Sequence, residues 1–237
     1  LLPRPLGARR RPVPVVTTFH DLLWPYLFPK AGRLRRWANR MLVLGSDAVV
    51  LTNERDFQQV NRFGRFRNRT HHIPIGSNIP RATNVDRDAV LRRHGLDPAG
   101  FVVGFFGFLT ADKGIDDLLD APERPDMHGT QLFVISGELA TTDATNRRYR
   151  ERIQQHFEEA KIPVHVTGYL SPHDAAEAMV AADVLAIPFR SGASLRSGTL
   201  IAALQSGTPV ITTDPRPGDT LAPLSPGESV WLVPISD

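Results

Sequence analysis

Three stretches concentrate the residue types that chemistry needs. In residues 104–114, GFFGFLTADKG, the small Gly104 and Gly107 let backbone amides approach a ligand, and Lys113 brings a mobile positive charge to the mouth of a following helix. An anion is favoured there, although the stretch read alone is better described as a plain turn with a solvated lysine. It lacks both the GK[ST] ending of a P-loop and the GxGxxG spacing of a dinucleotide site. In residues 188–214, Arg190, Ser191, Ser194, Arg196, Ser197, Gly198 and Thr199 stand before an expected helix start. Hydroxyls, amides and two guanidinium groups thus converge where a diphosphate would sit, the alternative being a capped helix with surface arginines. The third stretch is TTFHD, residues 17–21. Its His20 closes a strand and either bonds a sugar hydroxyl and exchanges a proton, or simply caps a loop.

Other chemistries find no support. There are no cysteines, which excludes disulfides, zinc ribbons and thiol catalysis. His71 and His72 are neighbours on an expected strand and so face opposite sides, and the remaining histidines show no metal-site spacing, so no metal is expected. The hydrolase, zincin and kinase signatures are absent. The arginine run at Arg62, Arg65, Arg67 and Arg69 reads as a solvated loop, and no nucleic-acid partner is expected.

Positioning these loops requires a scaffold. The 237 residues are 41% hydrophobic and 22% charged, globular proportions for one or two domains. The net charge is +3, and of the 28 basic residues only Lys30, Lys113 and Lys161 are lysines. Such an arginine excess reflects coding bias or attraction to phosphates of a nucleotide or an anionic lipid surface. Apolar runs alternate with helix-like segments throughout, the pattern of βα units on parallel sheets. Strands are expected at 13–19, 48–52, 71–75, 102–108, 131–136, 164–167, 184–189, 210–213 and 229–233. Helices are expected at 33–44, 54–63, 86–93, 113–121, 145–161, 172–182 and 199–206. The helix at 33–44 sets Arg33, Arg36 and Arg40 opposite Trp37, Met41 and Leu44, which suits either packing on a sheet or contact with an anionic membrane. No apolar run reaches the ~20 residues of a membrane helix. The opening LLPRPLGARRRP places its basic residues after the apolar ones, the reverse of a secretory signal. A seam near residue 80 divides a three-stranded block, 1–80, too small to enclose a core, from a six-stranded doubly wound block, 81–237.

Taken together, TFHD, HIPIGSNIP, GFFGFLTADKGIDDLLDA, VTGYLSPHDAAEAMVAADVLAIPF and GTLIAALQSGTPVITT resemble, in order, the retaining GT-B glycosyltransferases of the family 4 type. The resemblance implies an α/β protein of two Rossmann-like, doubly wound domains facing a cleft, the first incomplete here. It implies transfer of a sugar from a nucleoside diphosphate sugar to an acceptor hydroxyl with retention, with no cofactor or metal. It also implies a cytoplasmic protein, peripheral to the inner face of the membrane if its lipid-linked or polysaccharide acceptor lies there. By the same resemblance His20 matches a catalytic histidine in the cleft, and Lys113 the lysine on the donor diphosphate. Tyr169 and Leu170 match the nucleobase contact, and Gly198 and Thr199 the amides that cradle phosphate. The family's arginine partner to that lysine falls at Phe108, and its two glutamates at Ser194 and Ala202, with Ser191 as a shifted first position. Arg196 then stands in for the missing phosphate charge. The pattern further implies an internal fragment of a longer chain; a non-catalytic nucleotide-sugar-binding protein of the same fold is the alternative.

Overall fold

The computed structural model describes residues 13–20, 22, 32–62, 68–120, 129–137 and 144–235. The chain divides into two compact units, Leu1–Ile75 and Gly76–Asp237.

In the first unit β1 (Val16–Phe19), α1 (Gly32–Gly45), β2 (Ala48–Leu51), α2 (Glu54–Asn61) and β3 (Thr70–His72) follow one another. The strands form a parallel sheet in the order β1-β2-β3. Asn53 starts α2 by accepting from the amide of Asp56, so an orphan N–H of the first turn is satisfied by a side chain. Pro74, which has no N–H to donate, follows β3, and the strand is shorter than its apolar run suggests. Phe19, Val43, Val49, Leu51 and Val60 make the core. Helix α1 packs through Leu42, Val43 and Leu44, whereas Leu34 and Trp37 stand 67% and 61% exposed. The side chains of Arg33 and Arg36, and residues 63–67 of the arginine run, lie outside the described residues.

The second unit contains α3 (Arg87–Arg93), β4 (Phe101–Phe106), α4 (Ile115–Leu119), β5 (Thr130–Ile135), α5 (Ala144–Glu158) and β6 (Val164–Val166). It continues with α6 (Pro172–Ala181), β7 (Val184–Ile187), α7 (Gly198–Ser206), β8 (Val210–Thr213) and β9 (Trp231–Val233). All six strands are parallel, in the order β6-β5-β4-β7-β8-β9. Succession therefore runs outward in one direction from β4 and then in the other from β7, and the crevice between these two is the switch point where doubly wound sheets take ligands.

Side chains alternate across the sheet. Phe133 and Ile135 join Val102, Leu185 and Ile187 under α6 and α7, while Leu132 and Val134 join Phe105 under Ile115 of α4 and Tyr149 and Ile153 of α5. Each such buried side chain contributes about 1.5–3 kcal/mol of apolar burial. Two departures from the expected elements bear on the loops that follow β4. Strand β4 stops at Phe106 because Gly107 takes φ 137°, which leaves Phe108 in the loop. The expected helix at 113–121 is split by Gly114, at φ 66°, into a 3-10 turn at Ala111–Lys113 and the short α4.

Candidate functional site

The loops after β4 and β7 meet at the switch point. Strand β4 runs into Gly107, Phe108 and the turn of Lys113; β7 runs into Phe189, Arg190 and the residues that open α7. The approach is close. A Cβ on Gly107 would stand 3.2 Å from the Thr199 hydroxyl, and one on Gly114 only 2.0 Å from the carbonyl oxygen of Pro188. The amide of Arg190 donates to the carbonyl of Asp112 at 3.0 Å. A side chain at Gly114 would hold the loops apart, and one at Gly107 would press on the Thr199 side chain.

Lys113 crosses this junction. Its Nζ lies 3.5 Å from the Ser197 hydroxyl and 4.4 Å from the centre of the Phe189 ring. Desolvation lowers its pKa from the usual lysine value, opposed by the nearby Asp112 carboxylate. Ser197 is the N-cap of α7 and its hydroxyl accepts from the amide of Leu200. The amides of Gly198 and Thr199 belong to the first turn, at the positive end of the helix dipole. The structure thus brings together Lys113, Ser197, Gly198 and Thr199, an ammonium and a helix start converging as an anion seat requires.

The other expected residues take varied positions. Arg196 donates through Nε to the Ser194 hydroxyl at 3.1 Å and pairs with Asp219 at 3.2 Å. Asp219, remote in sequence, carried no local signal. Ala202 is buried within α7, and the Ser194 hydroxyl also accepts from the amide of Arg196 at 3.3 Å. Ser191 is half-buried beside Arg190. Arg190 faces α4: its NH2 and Nε reach Asp117 at 2.7 and 3.3 Å, and its NH1 lies 3.7 Å from Asp116. Phe108 is 57% exposed in the loop. Tyr169 and Leu170 follow β6 on the same carboxyl edge; Tyr169 is 79% exposed and passes close to Gly137, while Leu170 packs on the core. In the first unit, His20 is exposed at the end of β1 and its carbonyl accepts from the Thr52 hydroxyl at 3.2 Å.

One feature departs from the histidine spacing expected. His173, Asp174 and Glu177, at the start of α6, bring possible ligand atoms within 4.8 Å of one another. The i, i+1, i+4 spacing of PHDAAE is its sequence signal. Asp174 already bonds the Ser171 hydroxyl at 2.6 Å, and Glu177 pairs with Arg93 at 3.5 Å. A separate apolar groove of ≈ 360 Å³, lined by Val184, Pro209, Val210 and Trp231, lies at the amino ends of β7, β8 and β9, away from the junction. Among the described residues no helix is long and apolar enough to cross a membrane.

A family model described as glycosyl transferases group 1 matches residues 100–237, and one described as glycosyl transferase 4-like domain matches residues 3–76. Among solved structures, HepE of Anabaena in complex with UDP and glucose is similar with a TM-score of 0.68 at 21% identity, over 93% of this chain and 58% of that one. The same protein has been solved with UDP-glucose. Sucrose-phosphate synthase of Thermosynechococcus elongatus has a TM-score of 0.68 at 22% identity, over 94% of this chain and 55% of that one. WaaG, a glycosyltransferase involved in lipopolysaccharide biosynthesis, has a TM-score of 0.57 at 19% identity, over 84% and 56% of the two chains. This chain spans less than two thirds of the length of each. No curated protein matches it. The likeness is one of fold, the Rossmann-like GT-B architecture.

Proposed function

The chain belongs to the glycosyl transferases of group 1, and from that membership we propose that it moves a hexose-type unit from a nucleoside diphosphate sugar to an acceptor hydroxyl with retained configuration. The observation that carries this reading is the seat formed by Lys113 and the first turn of α7 at the switch point. In the proposed reaction the bond between the anomeric carbon and the diphosphate oxygen breaks, and its electron pair leaves with the diphosphate. The acceptor oxygen bonds that carbon from the same face, and its proton passes to the departing phosphate. Lys113, Arg196 and the amides of Gly198 and Thr199 stabilise the charge that develops there, which lowers the barrier more than it strengthens substrate binding. Tyr169 and Leu170 receive the nucleobase. No metal or cofactor enters the proposal.

The UDP and UDP-glucose of the HepE structures support a uridine diphosphate sugar as the first donor to try. Leu34 and Trp37, exposed on α1, support a peripheral contact with a lipid surface, in keeping with a lipid-linked acceptor. One observation favours a second reading, a nucleotide-sugar binder without turnover: neither Ser194 nor Ala202 is acidic.

Calorimetric titration with UDP and UDP-glucose, followed by assay for released UDP, separates the two. Lys113→Ala is expected to weaken UDP by about 1.5–3 kcal/mol, the worth of a charge-assisted bond. Unchanged UDP affinity in that variant overturns the seat; binding without UDP release leaves the binder.

A further inference from the structure

We propose that Arg190 is a positioning residue: forked onto Asp117 and leaning on the buried Asp116, it holds the Lys113 turn against the β7–α7 loop, so that both halves of the anion seat are in place before a ligand arrives. The inference rests on the reading of that seat given above.

Residue type and position suggest Arg190 as a phosphate ligand, one of two guanidinium groups before α7. Its geometry points elsewhere. The contact with Asp117 is two-pronged, NH2 to Oδ1 at 2.7 Å and Nε to Oδ2 at 3.3 Å, the match of planar fork to carboxylate that lysine cannot make. Its third nitrogen lies 3.7 Å from Asp116, whose side chain is 8% exposed. Asp116 is in turn held from α5: it accepts from the Tyr149 hydroxyl at 2.9 Å, and Arg152 and His156 lie 3.8 Å away. His156 also reaches Asp120 at 2.9 Å. A cation committed to two carboxylates offers little charge to a phosphate.

The same residue joins the two loops through its backbone. Its N–H bonds the carbonyl of Asp112, the neighbour of Lys113, while on the other side of Lys113 the chain at Gly114 touches Pro188. Lys113 is therefore bracketed by contacts to the segment that carries Arg190. Side chain and backbone together set the spacing between the ammonium of Lys113 and the start of α7, which a diphosphate must bridge.

The test uses the full chain, UDP as the probe, and variants on both sides of the fork. If Arg190 acts through Asp117, Asp117→Ala weakens UDP binding tenfold or more, although it removes a negative charge near the seat. If Arg190 instead touches phosphate, Asp117→Ala frees it, and UDP binds equally or more tightly; that result overturns the proposal. Arg190→Lys, which keeps the charge and loses the fork, is expected to lose as much affinity as Asp117→Ala, and full affinity in that variant also overturns it. Hydrogen exchange of the unliganded variants gives a ligand-free readout. Amides of residues 107–114 and 190–198 are expected to exchange at least tenfold faster than in the parent while those of β5 are unchanged. A parent chain that does not bind UDP sinks the reading of the seat alone; unaltered exchange at both loops in both variants sinks the clasp.

Discussion

Lys113 carries the most chemistry per residue, and its environment makes a signed prediction. Burial lowers its pKa from 10.5 in the folded protein. The unfolded chain then binds the proton more tightly, so the folded state bears a cost for the charge below the depressed pKa. That cost disappears as pH rises towards 10.5, and stability attributable to this lysine increases across that window. A bound diphosphate reverses the preference, because it needs the ammonium. UDP affinity is therefore expected to be level near neutrality and to fall with rising pH before 10.5 is reached. Lys113→Ala should lack that alkaline fall; calorimetry from about pH 7 to about 10 reads it, and a fall of equal size in the variant would assign the effect to another group. At this scale the sequence is legible where the signal is local. Ser197, Gly198 and Thr199 announce themselves as a hydroxyl and small residues before an apolar helix. The partners of Arg190 and Arg196, Asp117 and Asp219, sit far along the chain, and only folding reveals that both guanidinium groups already face carboxylates.

Among the elements, the junction of the two loops depends on Gly114. A Cβ there meets the Pro188 carbonyl at 2.0 Å, and the residue sits at φ 66°, so steric overlap adds to left-handed strain. Gly114→Ala is expected to destabilise the protein by about 2 kcal/mol or more. Gly129 is a matched control: it has φ 80° with nothing within 4 Å, and its alanine variant should cost only about 1 kcal/mol. Chemical denaturation of both compares them, and equal losses would mean that the β4 and β7 loops yield freely. Every described strand overlaps an expected run, and the signal is plainest in β5, which is buried on both faces and reads as the continuous stretch QLFVIS. The helix at 113–121 was less legible. Its expected start at Lys113 lies one residue before Gly114, whereas the observed helix begins only at Ile115, because Gly114, at φ 66°, stands where the carbonyl of Pro188 leaves no room for a side chain.

For the whole molecule, the residues proposed for the nucleotide all lie in Gly76–Asp237, which has a two-sided core of its own. That segment expressed alone is expected to bind UDP within about threefold of the full chain, a difference under 1 kcal/mol. A tenfold weaker affinity would show that the first unit contributes to the ground-state complex. The parallel sheet was legible from the alternation of strands and helices, since parallel strands need crossovers and crossovers of this length are helices. What alternation cannot state is which strand lies in the middle, because β4 pairs with β7 across three intervening βα connections. That pairing also sets a clock for the nascent chain. Val103 finds its partner Val184 only after roughly 80 further residues have been made, which at ribosomal speeds takes about 4–16 s. Until β7 has been made, the edge of β4 that becomes the centre of the sheet has no native partner, which makes it a natural target for chaperones that shield unpaired strands during synthesis.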